Sequence, residues 1–260
     1  MAAKPTHIVD IFLTCDSAIE QGKLIRRSSP TDKEFHFQDW FEQRLNECSI
    51  RYDKLGRNSY PDFVAVTIAE GYEVKGLAWP GREATYDANS QLPSGMHNGR
   101  VIHYVFGRYP SNATESEYPV IDLICCHGDF LNAHHDYIHE NKSVRGFGSY
   151  GDILIRDRKM YVAPTPFGLT DGTTGQRTLI LPEDWPVDDR LEEVGRLVRV
   201  EADKLVVGYT FDLTNNTLTP QYTDNPHAGT PHRFVAYRVA GRNGPQVSLR
   251  QPCRSVDDSH

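Results

Sequence analysis

The stretch Tyr60-Pro61-Asp62-Phe63-Val64-Ala65-Val66-Thr67-Ile68-Ala69-Glu70-Gly71-Tyr72-Glu73-Val74-Lys75-Gly76-Leu77 decides how the chain folds. A carboxylate, Asp62, opens an apolar run. A turn containing Gly71 is expected next, and then a second strand over Tyr72–Leu77 that carries Glu73 and Lys75. Successive strand side chains alternate between faces, so residues two apart share one. A hairpin here therefore gathers Asp62, Glu73 and Lys75 at one edge of a sheet. Phe63-Val64-Ala65-Val66 is apolar at every position, the pattern of a central strand buried on both faces. Charges beside such a strand need a partner or a metal. Two carboxylates and an ammonium at this spacing suit a hard divalent cation and a water held beside a phosphate.

Upstream of this stretch the periodicity is helical. Ile8, Ile11, Phe12 and Ile19 recur at helical spacing, and so do Phe37, Trp40, Phe41 and Leu45. The spacing predicts an amphipathic helix over Asp32–Glu47, capped by Thr31 or Asp32, with Glu42 near its middle. Downstream, short apolar runs at 62–68, 72–77, 101–107, 119–126, 152–155, 160–163, 178–181, 196–200, 205–211 and 234–239 alternate with Gly- and Pro-containing turns. Residues 130–141 read as a short helix or an ordered loop, and Arg254–His260 as a frayed tail. The expected fold class is α/β (α+β): a mixed central β-sheet flanked by helices, with a strand-rich C-terminal half.

The 260-residue length suits one large domain, with a helix-plus-sheet core over 8–110 and a strand-rich remainder over 111–253. No apolar run approaches the roughly 18 residues that cross a bilayer, so no membrane partner is expected. Met1–Asp10 lacks the basic-then-apolar pattern of a signal peptide, which makes a cytoplasmic location the expectation. A net charge of −7 does not advertise a nucleic-acid partner, although a local basic groove is compatible with an acidic total. Five cysteines (Cys15, Cys48, Cys125, Cys126, Cys253), with no CxxC pair, read as reduced structural thiols.

Pro61-Asp62, ten intervening residues and then Glu73-Val74-Lys75 resemble the motif of the PD-(D/E)XK nuclease superfamily, typified by type II restriction endonucleases. The resemblance covers residues 35–110. Asp/Glu-x-Lys also occurs at Glu140-Asn-Lys142 and Asp157-Arg-Lys159, and the former even has an acidic residue, Asp129, at similar spacing upstream. Neither context reads as strand-turn-strand, and Asp157-Arg-Lys159 falls on an expected hairpin turn. The resemblance implies a restriction-endonuclease-like fold and a Mg²⁺-dependent enzyme that cuts double-stranded DNA at a short sequence and leaves 5′-phosphates. It implies that Asp62, Glu73 and the Val74 carbonyl hold the Mg²⁺. Lys75 would orient or deprotonate the attacking water, and Glu42 would serve as a further acidic group. It also implies a homodimer, whose two-fold symmetry matches a palindromic site.

The polar run after the expected catalytic strand suits approach to a duplex, and Arg82, Asn89, Ser90, His97, Asn98 and Arg100 are candidate phosphate or base contacts. Lys142 and Arg145, in a Gly-rich segment, are a second group, and 170–177 is a third polar stretch. His127, His134, His135 and His139 raise the possibility of zinc or of an HNH-type nuclease. No second ligand pair follows them, so they read as solvated or locally hydrogen-bonded histidines. Two other functions fit the same residues: a DNA repair or junction-resolving nuclease with the same metal site, and a non-catalytic DNA-binding module in which the hairpin charges are structural.

Overall fold

The computed structural model describes residues 6–27, 33–56, 59–81, 83–89, 91–112, 116–133, 150, 153–157, 160–172 and 174–250. Two helices come first, α1 (Ile8–Glu20) and α2 (Lys33–Glu47), with the two-residue strand β1 (Ile25–Arg26) between them. Next come β2 (Tyr52–Lys54), β3 (Phe63–Ala65), β4 (Glu70–Trp79), β5 (Thr85–Asn89), β6 (Met96–His97) and β7 (Arg100–Pro110). β8 (Glu117–Tyr118) and β9 (Asp122–His127) lead into a 3-10 turn at Gly128–Phe130. The second half holds β10 (Leu154–Asp157), β11 (Met160–Pro164), the one-turn helix α3 (Pro166–Leu169), β12 (Thr170–Asp171) and β13 (Arg177–Pro182). It closes with β14 (Leu191–Val200), β15 (Lys204–Asp212), β16 (Thr217–Asp224), β17 (Pro231–Val239) and β18 (Ser248–Leu249).

The fold is mixed α+β with a large central mixed sheet, strand-rich and poor in helix. The sheet runs β14-β17-β13-β9-β7-β4-β3-β2. β4 and β7 are parallel, as are β9 and β13, and the other neighbours on this path are antiparallel. Its two faces have different covers. Phe37, Trp40, Phe41 and Leu45 of α2 and Ile8, Ile11, Phe12 and Cys15 of α1 pack on Phe63, Tyr72, Val74, Val105 and Cys125. On the other face, Leu77, Tyr104, Phe106, Ile124 and Cys126 meet Tyr86 and Ala88 of β5, Tyr161 and Ala163 of β11, and Phe167 and Leu169 of α3. The expectation of a sheet flanked by helices is corrected accordingly. Among the described residues the two long helices share one face, and the three-stranded sheet β10-β11-β5 covers the other.

The helical reading of 8–20 and 33–47 holds, because both segments carry an apolar stripe that a strand could not bury on one side. Gly107 lets α2 sit close: a Cβ there would stand 2.2 Å from the Phe37 ring. The N-cap position of α1, His7, makes no side-chain cap. Glu70 does the capping from β4 instead, its Oε2 accepting from the His7 amide at 3.0 Å and its Oε1 from Thr6 Oγ1 at 2.5 Å.

The deciding stretch folds as strand-turn-strand with shifted boundaries. Glu70 and Gly71 belong to β4, and the turn is Val66–Ala69. Gly71 is small for packing rather than for turning: a Cβ there would meet Pro61 Cγ at 2.5 Å. β3 is buried but not central, since only β2 lies beyond it, and Val66 is 47% exposed. The polar run after β4 is no single loop either, because β5 leaves it to pair with β11. Cys15, Cys48, Cys125 and Cys126 are free thiols, as expected, and Cys253 lies outside the described residues. No helix among the described residues is long and apolar enough to cross a membrane.

Candidate functional site

Phe63 pairs with Tyr72, so one step back along the antiparallel ladder sets Asp62 opposite Glu73. Pairing as a strand ends there and the side chain takes over. Asp62 Oδ2 accepts from the Val74 amide at 2.8 Å, and the Asp62 amide donates to Glu73 Oε2 at 3.2 Å. Lys75 Nζ stands 2.9 Å from Glu73 Oε1. The structure therefore brings the three expected residues together. Glu73 is buried at 8% exposure, and a bare carboxylate there would be costly. Its two oxygens are instead taken by an N–H and an ammonium. A strand residue directs its N–H and C=O to the same side, so the Val74 carbonyl faces the side occupied by Asp62.

Two tyrosines complete the site, and no motif pointed to them. Tyr104 of β7 is the register partner of Glu73, and its hydroxyl lies 2.7 Å from that of Tyr60. Burial first, then the charge of Glu73, pushes the Tyr60 phenol up. Burial and the neighbouring Tyr60, Tyr86 and Glu73 do the same to Tyr104, so both hydroxyls keep their protons at neutral pH. The only sequence hint was the position of Tyr60 directly before Pro61-Asp62.

Glu42 is not part of this cluster. Its oxygens bond Tyr52 Oη at 3.0 Å and Lys54 Nζ at 2.5 Å, beyond β3 and beneath α2. Tyr72 and Val74 face α2, so Glu73, which alternates with them, faces the opposite side of the sheet. A carboxylate on α2 is separated from Glu73 by the sheet itself.

The expected DNA contacts are scattered. The His97 ring meets Tyr60 edge-on at 4.9 Å, and Asn98 Nδ2 lies 3.0 Å from His97 Nε2. Both stand on the β6–β7 turn, where Asn98 (φ 49°) and Gly99 (φ 74°) take left-handed conformations. Arg100 bonds the carbonyls of Ala65 at 2.9 Å and Ile68 at 3.3 Å, which braces the β3–β4 turn. Asn89 lies on β5, with its side chain outside the described residues, as are Arg82, Ser90, Lys142 and Arg145. Much of 170–177 is tied into the fold: Thr170 and Gln176 are buried, and the Gln176 amide donates to Asp122 Oδ1 at 2.7 Å.

His127 ends β9, and its Nδ1 accepts from the Asp129 amide at 3.1 Å. That is the locally hydrogen-bonded reading; His134, His135 and His139 lie outside the described residues. Among the described residues no group of three or more His, Cys, Asp or Glu side chains is arranged to hold a metal ion. The two carboxylates and the Val74 carbonyl are hard oxygen donors of the kind Mg²⁺ takes. An ion there would complete its shell with waters and phosphate oxygens, as Mg²⁺ commonly does. Comparison with protein-family models, curated proteins and solved structures found no match.

Proposed function

We propose that the protein is a Mg²⁺-dependent, sequence-specific double-stranded DNA endonuclease of the type II restriction kind, with a restriction-endonuclease-like sheet. It hydrolyses phosphodiester bonds to 5′-phosphates and acts as a homodimer. One observation carries the reading: Asp62 is bonded to β4 at Glu73 and Val74, and Lys75 to Glu73, through contacts of 2.8–3.2 Å, which sets the three motif residues side by side. Asp62, Glu73 and the Val74 carbonyl would hold the ion, which supplies polarisation of the phosphoryl oxygen and of a bound water. Lys75 holds the attacking water in line with the phosphorus and balances charge there. Tyr60 and Tyr104 back Glu73 with hydroxyls and keep bulk water from its inner side. His97 and Asn98, on the turn beside Tyr60, are the described side chains best placed to meet the duplex. Arg100 has a bracing role, and Glu42 is left out of the catalytic set.

The test is incubation of the purified protein with phage and plasmid DNA, with and without Mg²⁺, beside Lys75→Ala. Discrete fragments that require both Mg²⁺ and Lys75 support the reading. Cleavage confined to branched or damaged duplexes would reassign the site to repair or junction resolution. DNA binding with no cleavage, unchanged in Lys75→Ala, would make the charges structural.

A further inference from the structure

An open cavity of about 650 Å³ lies off the ends of β9 and β13 and the start of β17. Its size falls within the roughly 300–1,000 Å³ typical of small-molecule sites. The nuclease reading makes no use of it. Trp185, Phe234, Pro182 and Pro231 give it aromatic and apolar walls, and His127 and Asp129 bring polar groups to the same space.

The fold sets these two polar groups in place. His127 is only 4% exposed, with the rings of His103 and Trp185 at 5.5 and 5.2 Å. Its Nδ1 accepts from the Asp129 amide at 3.1 Å, so the proton of the neutral ring sits on Nε2. Burial keeps the ring neutral, holding it down at about 3. Among the described residues no hydrogen bond reaches Nε2, which leaves a buried N–H donor on a ring that lines the cavity. The Asp129 carboxylate supplies an acceptor beside it, with Oδ2 3.5 Å from Nδ1. Gly95 packs against both side chains: a Cβ there would meet His127 Cε1 at 2.7 Å and overlap the Asp129 carboxylate. Donor and acceptor are therefore positioned before any ligand arrives.

The chemistry of the lining narrows the ligand. Asp129, Glu183 and Asp184 outnumber the one guanidinium, Arg233, so a phosphate or carboxylate is disfavoured. His232 is taken up by Glu201, 2.9 Å away. An ammonium would satisfy the carboxylates but has no acceptor for the Nε2 proton. A flat heteroaromatic ring with an amino group beside a ring nitrogen satisfies both: the amine donates to Asp129 and the nitrogen accepts from His127. The faces of such a ring suit aromatic and proline walls. We propose that this cavity binds an amino-bearing nucleobase, of the cytosine or adenine kind, with His127 and Asp129 reading its edge. Two sources supply such a base: a free nucleoside, or a base turned out of a duplex. The inference stands apart from the nuclease reading, because its test uses no Mg²⁺ and reads no cleavage.

Isothermal titration calorimetry of the full chain, without Mg²⁺, compares cytidine with uridine. Uridine replaces the amine by a carbonyl and the ring acceptor by an N–H, so it presents the wrong edge. Cytidine is expected to saturate the protein below about 10 mM, with uridine weaker by roughly tenfold or more. His127→Phe keeps an aromatic ring and loses the donor, and Asp129→Ala loses the acceptor at a partly exposed position. Each is expected to weaken cytidine by roughly tenfold or more. The comparison of nucleosides on the wild type needs no variant to fold. A duplex carrying 2-aminopurine, whose fluorescence rises when its ring leaves the stack, separates the sources. A rise that is lost in His127→Phe assigns the base to DNA, and cytidine binding without such a rise assigns it to the free nucleoside. A silent duplex together with no saturation by cytidine or adenosine at about 10 mM would overturn the inference. Equal affinity for cytidine and uridine, or full affinity in folded His127→Phe, would overturn it as well.

Discussion

Asp62 Oδ2 accepts the Val74 amide at 2.8 Å, so a side chain replaces the backbone acceptor where the β3–β4 ladder stops. This bond fixes the direction of the first carboxylate of the site and joins it to the strand that carries the second. The position of Asp62 is therefore a property of the sheet.

On the proposed reading Mg²⁺ would bind the folded form, and it is then expected to raise the melting temperature of the wild type in proportion to the logarithm of its concentration. Asp62→Asn and Glu73→Gln are each expected to abolish that rise and the cleavage. Glu42→Gln is expected to leave both intact, because Glu42 lies across the sheet with Lys54. Differential scanning calorimetry across a Mg²⁺ series checks all three.

Lys75→Ala leaves Glu73 buried with one oxygen unpaired, and a loss of about 1–3 kcal/mol is expected. The double variant Lys75→Ala/Glu73→Gln should recover much of that loss, since the charge goes with its partner. Urea unfolding of the four-protein cycle measures the coupling. Additive losses would mean that the pair contributes nothing to the fold.

Gly71→Ala is expected to destabilise by about 1–3 kcal/mol, the usual cost of overpacking. Its new methyl would meet Pro61 Cγ at 2.5 Å and Ile102 Cδ1 at 3.0 Å. Because Pro61 precedes Asp62, cleavage should fall further than the stability loss alone explains. Activity measured well below the melting temperature separates the two effects.

Stability is expected to fall below neutral pH in two overlapping windows. Burial holds His127 down at about 3, with His103 beside it acting in the same direction. Unfolding frees its ring to take a proton, so stability declines as pH drops from about 6.5 toward 3. Burial alone would raise Glu70. His103, 3.6 Å away, and hydrogen bonds from Thr6 and Tyr72 instead hold it at about 2, below the ordinary 4.5. Its contribution is complete above about 4.5 and disappears between 4.5 and 2, a change of about 3 kcal/mol. Urea midpoints against pH should flatten in the upper window for His127→Asn and in the lower one for Glu70→Gln.

Asp122→Ala removes a carboxylate that holds Arg108 Nε at 2.8 Å and the Gln176 amide at 2.7 Å, both deep in the sheet. The guanidinium left behind keeps the faces of two rings, Phe167 at 4.2 Å and Trp79 at 5.7 Å, and no other carboxylate among the described residues pairs with it. A loss of about 3–5 kcal/mol is expected, as for other broken buried pairs. Equilibrium unfolding checks it, and a loss under about 1 kcal/mol would show that the pair is solvated.

The sequence by itself determined the helices and the pairing of Asp62, Glu73 and Lys75, because both rest on local periodicity. A 3.6-residue stripe at Phe37, Trp40, Phe41 and Leu45 can bury itself only as a helix. Two-residue alternation puts Glu73 and Lys75 on one face wherever the strand lies. Tertiary structure decided which face of the sheet each element covers, because both faces are apolar along β4 and β7 and nothing local tells them apart. That choice put Glu42 across the sheet from Glu73, set Tyr104 against Glu73 from a strand 31 residues further along, and turned Arg100 from a candidate contact into a brace. Short strands such as β2 and β5 escaped the sequence for the same reason. They hold little apolar pattern of their own and exist because a neighbouring strand offers its hydrogen bonds.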